Sequence, residues 1–210
     1  MAITLDDVRT LTPLQLDALR EVANMGAGHA ATALSQMTGN LIMITVPTIN
    51  ITRLEDMPTQ ITEEEEPIAA VMMHMLGDLT GRTLLVFPQP TAMRLAELML
   101  RRTPGSCAEF GPLEQSAMKE AGNILAGAYM NALSEFMGLM LLPSPPSLVV
   151  DMSAAILTTA HLQFSADRDH VFSVETQFML SEQDETLRGF FVLIPDHAAL
   201  HAILRAVRVA

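Results

Sequence analysis

An α+β fold, built from two copies of one unit related by a pseudo-two-fold and joined in a central, largely antiparallel sheet, is predicted by three features of this 210-residue sequence. One segment recurs at a fixed offset, each copy opens on a long helical pattern with caps at both ends, and apolar runs of strand length follow each helix.

The recurrence pairs Leu11–Gly39 with Phe110–Gly138 at an offset of 99 residues without a gap, and 11 of the 29 positions are identical. The identities are Pro13/Pro112, Leu14/Leu113, Ala18/Ala117, Glu21/Glu120, Asn24/Asn123, Ala27/Ala126, Gly28/Gly127, Ala33/Ala132, Leu34/Leu133, Ser35/Ser134 and Gly39/Gly138. The same offset carries Pro47 onto Pro146. We therefore expect one domain over residues 1–210, made of repeats at about 11–102 and 110–208, long enough to bury a sizeable core.

In the first repeat, Thr12, Pro13 and Gln15 supply an N-cap, a proline at the first helical position and a capping-box partner. Gly111, Pro112 and Glu114 form a looser version with glycine at the cap. Both helices stop at a glycine suited to a left-handed C-terminal position, Gly39 or Gly138, which predicts two helices of about 26 residues. Strand-like runs follow at Leu41–Ile51, Ile68–Leu76 and Thr83–Phe87, then at Ser147–Val150, Val171–Leu180 and Gly189–Ile194. Thr91–Arg102 and Asp196–Val207 read as shorter amphipathic helices closing each half. Thr103–Gly111 is a Pro/Gly-bearing connector, and Glu63–Glu66 is an acidic run expected in a solvated loop.

Composition narrows the function. With 16 Met, eight Phe, one Tyr and no Trp, the core must be aliphatic and Met-rich. A net charge of −12 without a basic cluster disfavours nucleic acid and anionic membranes and points to a protein partner. The single cysteine, Cys107, excludes an internal disulfide and reads as a linker residue. The start lacks a basic region followed by an apolar core, and no apolar run approaches the ~20 residues that span a bilayer, so a cytoplasmic protein is expected. Of the six histidines only His197 and His201 have ligand spacing, with no third ligand nearby, so no metal site is expected. Phosphate-binding loops, nucleophile elbows and dinucleotide glycine patterns do not occur.

On a helix, Asp17, Glu21, Asn24 and Gly28 fall within a wedge of about 60°, and Ser116, Glu120, Asn123 and Gly127 form its twin. Positions 19, 22, 30, 33, 34 and 37 supply the apolar face, so each polar stripe should look outward. Gly26, Ala27 and Gly28, or Ala126 and Gly127, would let another protein approach the helix backbone. An Asn is neither base nor nucleophile, but its donor and acceptor can hold a water. Phosphoryl transfer asks for little more than positioning when metal and cations come from elsewhere.

Asp17-x3-Glu21-x2-Asn24 followed after 22 residues by Pro47, and Ser116-x3-Glu120-x2-Asn123 followed by Pro146 at the same spacing, resemble the doubled signature of the CheC phosphatases. The two copies fit that branch better than single-motif CheX, and the added switch domain of FliY is not expected in these 210 residues. The resemblance implies a CheC-like fold, a phosphorylated CheY-like receiver as substrate, Mg²⁺ carried by the receiver rather than by this chain, and CheD as a further partner. It also implies that Glu21 or Glu120 pairs with the receiver's active-site lysine, while Asn24 or Asn123 aligns the attacking water. Asp17 and Ser116 are supporting positions, for which support of the helix start and contact at the rim of the docked face both fit. Pro47 and Pro146 fix the turn into the following strand. A non-catalytic reading, as a CheD-binding adaptor or a phospho-CheY-binding module, suits the Met-rich composition and the simplicity of the stripe.

Overall fold

The structure, a computed structural model, describes residues 12–53, 66–156, 159, 170–180 and 185–209. Helix α1 runs over Pro13–Thr38 and is followed by strands β1 (Ile42–Ile44), β2 (Thr48–Arg53), β3 (Pro67–Gly77) and β4 (Gly81–Pro88) and helix α2 (Gln89–Met99). Helix α3 (Pro112–Met137) opens the second series, followed by β5 (Leu141–Pro143), β6 (Ser147–Met152), β7 (His170–Leu180), β8 (Glu185–Pro195) and helix α4 (His197–Val209).

Both long helices have 26 residues, because their stop signals work as local chemistry requires. Gly39 at φ 73° and Gly138 at φ 65° adopt the left-handed conformation, and each donates its N–H back to the helix, to Ser35 O and Ser134 O. Thr12 and Gln15 complete the capping box at the start of α1.

The strands join one eight-stranded antiparallel sheet in the order β1-β7-β8-β4-β3-β5, with β2 also on β7 and β6 also on β3. The early strands of each repeat thus pair with the later hairpin of the other repeat. The register keeps the two-fold: Ile44 faces Phe178 on one side, and Pro143 faces Met75 on the other. The run read as one strand at Leu41–Ile51 is broken into β1 and β2, and Pro47, buried and without an N–H, sits between them. Its twin β5 falls within a stretch too short to read as a strand.

One face of the sheet packs against the helices. Ala69, Val71, Met73 and Met75 of β3 share a core with Leu19, Ala30 and Leu34 of α1 and Met118, Leu125 and Leu133 of α3. The alternate residues Ile68 and Ala70 join Leu84, Val86, Phe190 and Val192 in a second buried cluster with Ile156. Burial on both faces explains why these strands read as continuous apolar runs. Tyr129 ties three elements together: its ring stacks on Phe191 of β8 with centroids 4.6 Å apart, and its hydroxyl lies 2.7 Å from Thr176 Oγ1 of β7. A Cβ on Gly26 of α1 would come within 2.7 Å of that same ring. Desolvation in this setting pushes the phenol up to about 12, so Tyr129 is a structural hydroxyl rather than a titrating one.

Candidate functional site

Seven of the eight residues on the two predicted stripes are exposed: Asp17, Glu21, Asn24 and Gly28 on α1, and Ser116, Glu120 and Asn123 on α3. Gly127 is half-buried. They lie outward because the opposite sides of the helices, through Leu19, Val22, Ala23, Ala30 and Leu34 and through Met118, Ala121, Leu125 and Ala132, are committed to the core. The apolar face differs from the predicted one at two positions: Ala33 is half-buried and Met37 is 44% exposed, since both lie at its margin as the helix runs past the sheet.

The small residues also divide. Gly26, Ala27 and Ala126 are buried and serve helix packing, so they cannot receive an approaching protein. A Cβ on Gly28 or Gly127 would meet no atom within 4 Å, which leaves these two glycines as the open notches. Glycine in mid-helix lowers stability by up to about 1 kcal/mol relative to alanine. Nothing in the packing offsets that cost here.

Among the described residues, the side chains of Glu21, Asn24, Glu120 and Asn123 make no hydrogen bond or ion pair within the chain. Each stripe thus presents an acceptor carboxylate one helical turn from an unengaged carboxamide. The Asp17 carboxylate is held by Arg20 at 2.7 Å. The twin positions, Ser116 and Lys119, have no carboxylate to form that pair.

The second stripe has its own support. At the start of α3, Glu114 is held by Arg102, a contact sequence reasoning did not find, since its partner lies 12 residues away, just past the end of α2. Its carboxyl is held below the usual carboxylate range, first by its own backbone N–H and then by Arg102 and the Gly111 N–H, against the opposing effect of burial. The connector is fixed further by the Cys107 N–H, which donates to Glu97 at 2.8 Å. Glu97 and Arg94, both buried, extend this network to Glu185 of β8, with Arg94 2.8 Å from Glu185. Burial, then the charges of Glu114 and Glu97, push the Cys107 thiol up, the reverse of what a nucleophile requires.

No group of three His, Cys, Asp or Glu side chains able to hold a metal occurs among the described residues. No helix among them is long and apolar enough to cross a membrane. Of the Glu63–Glu66 run only Glu66 lies within the described residues, and it is exposed.

Fold and site together define a class: an internally duplicated α+β protein that carries two exposed Glu–Asn pairs, one on each of two twin helices. Comparison with known proteins shows what this class resembles. The CheC-like family profile matches residues 14–51 and 113–150, the two long helices with the strands that follow them. The chain is 29% identical over 195 residues to the protein named CheY-P phosphatase CheC of Bacillus subtilis, covering 92% of this chain and 93% of that one. It is 28% identical over 141 residues to the flagellar motor switch phosphatase FliY of the same organism, covering 67% of this chain and 36% of FliY. The crystal structure of Thermotoga maritima FliY superposes with a TM-score of 0.75 at 24% identity, over 95% of this chain and 98% of that one. The chain is thus similar to the CheC-like family in both of its repeats.

Proposed function

We propose that this protein hydrolyses the aspartyl-phosphate of a CheY-like response regulator in chemotaxis signalling, using Glu21 with Asn24 and Glu120 with Asn123 as two quasi-equivalent sites. One observation carries the reading: each exposed Glu–Asn pair recurs on a twin helix and is unengaged within the chain. In support, the Bacillus subtilis relative that aligns over most of both chains is named a CheY-P phosphatase.

In this reading Glu21 or Glu120 pairs with the receiver's lysine and sets the helix against the receiver. Asn24 or Asn123 enters beside the phosphoryl group and holds a water in line with the bond to be broken. The water oxygen bonds to phosphorus as the bond to the aspartate oxygen breaks; the aspartate leaves as a carboxylate, and the water's proton leaves with inorganic phosphate. Mg²⁺ belongs to the receiver, where it neutralises charge on the phosphoryl oxygens. Asp17 and Ser116 support the helix starts or touch the rim, and Gly28 and Gly127 give the receiver clearance over the backbone. The reaction belongs in the cytoplasm, and CheD is a further partner of this reading.

The test is the decay of a phosphorylated CheY-type receiver with Mg²⁺, with and without catalytic amounts of this protein. Acceleration is expected, and Asn24→Ala with Asn123→Ala should remove at least about 100-fold of it while leaving the fold intact. Binding without acceleration would reassign the protein as a CheD-binding or phospho-CheY-binding module.

A further inference from the structure

Of the 11 identities between the two long helical segments, seven have work to do inside the fold. Pro13 and Pro112 start the helices, and Gly39 and Gly138 end them. The alanine pairs at 18/117, 27/126 and 33/132 and the leucines Leu34 and Leu133 are buried or half-buried. The Ser35 and Ser134 hydroxyls bond to the backbone just beyond each helix, at Ile42 and Leu139.

Four identities remain, Leu14/Leu113, Glu21/Glu120, Asn24/Asn123 and Gly28/Gly127, and the fold asks for none of them. All four fall on one stripe, within about 80° around the helix and about 21 Å along it. Leu14 is 68% exposed and Leu113 59% exposed, so neither serves the core. Leucine has no capping function at the second helical position, where orphan N–H groups favour acidic and polar side chains. Arranged along a convex helix, a leucine, a carboxylate, a carboxamide and a bare glycine make no pocket for a small molecule. They make a footprint for the face of another protein.

We propose that Leu14 and Leu113 are apolar anchors for the receiver, seated on an apolar rim beside its phosphorylated aspartate, about 10 Å along the helix from the Glu that meets its lysine. The inference rests on the phosphatase reading above and adds its docking contact. Each anchor acts before and during chemistry alike, so it governs binding and not the in-line attack.

The experiment combines Leu14→Ala with Leu113→Ala and follows both turnover of the phosphorylated receiver and its direct binding. The expected result is KM and Kd raised about tenfold with kcat little changed, the loss of an apolar side chain buried at an interface. Leu→Met at both positions should recover most of the affinity, and thermal unfolding should match the wild type because the leucines are exposed. An unchanged KM and Kd in a variant set whose wild type turns over the receiver would overturn the anchor and leave the phosphatase reading standing. If wild type binds the receiver without turnover, weakened binding of the double variant still supports the anchor, and equal binding overturns it. A wild type that neither binds nor turns over the receiver overturns both.

Discussion

Helix α1 begins at a capping box made by two side chains, Thr12 and Gln15, whereas α3 begins at Gly111, which has none to offer and leaves Glu114 and Arg102, just past the end of α2, to do the holding. Around the crossing of the helices the difference runs the other way. Gly26 leaves room for Tyr129, while the pseudo-equivalent positions carry a fully buried Leu125 and an Ala30. On the outward side, Asp17, Arg20 and His29 of α1 stand where α3 has Ser116, Lys119 and a buried Ala128. Two Glu–Asn pairs of the same spacing therefore rest on unlike foundations and unlike rims. Drift has been accommodated wherever packing could be solved a second way; the positions that did not drift cap a helix, pack in the core or lie on the exposed stripe.

Four experiments would test how unlike the two repeats are. On activity, the largest effect is expected from separating the sites. Asn24→Ala and Asn123→Ala, assayed singly for receiver dephosphorylation, should leave residual rates that differ by about fivefold, the equivalent of ~1 kcal/mol between two docking surfaces. Equal losses would mean that the differing rims are functionally silent.

On stability, the largest effect is expected from making the crossing symmetrical. Gly26→Leu copies the residue at 125 but drives a side chain toward the Tyr129 ring and its Cα, 3.0 Å from the added Cβ, and backbone cannot move aside as a flexible side chain does. A net destabilisation of about 2 kcal/mol in denaturant melts is expected, overpacking outweighing the gain in helix propensity. A neutral result would show that α1 shifts freely over α3.

The two caps should separate by pH. Thr12→Ala should cost about 1 kcal/mol at any pH from 3 to 7, since the hydroxyl carries no charge. Glu114 has a depressed folded-state pKa, so its contribution is present above the ordinary carboxylate range and is lost as pH falls through the folded value. Glu114→Gln should therefore destabilise at neutral pH and converge on wild type in acid. A penalty that stays level with pH would remove the charge from the account of that cap.

The smallest effect is expected at the ion pair that only the first stripe has. Asp17 and Arg20 are more than half exposed, so Asp17→Ser, which copies Ser116, should change stability by no more than about 0.5 kcal/mol. Any larger change in KM for the receiver would place Asp17 at the rim of the docked face rather than in support of the helix.

Much of this molecule was legible along the chain. Both long helices, their 26-residue lengths and the outward stripes agree with the reading of caps, glycines and periodicity. The continuous apolar runs gave strands but not their partners, because a strand buried on both faces loses the alternation that shows which side is which. Exposure erred at Met37 and at Gly26, where helical phase alone cannot tell the rim of a packed face from its centre. The buried charges Arg94 and Glu97 look in sequence like any solvated i, i+3 pair, and only Glu185, 91 residues from Arg94, gives the arginine its partner on β8.

Residue order by itself determined where the helices start and stop and which polar residues form a stripe, because these depend on interactions between residues at most a few positions apart, and it exposed the repeat, because identities at a fixed offset are read from the order alone. Tertiary structure alone decided that β1 and β2 join the hairpin of the other repeat, that Tyr129 rather than another side chain fills the space over Gly26, and which small residues remain open to a partner. Those outcomes follow from close packing between distant segments, where a contact is settled by what arrives opposite and not by what stands beside it in the chain.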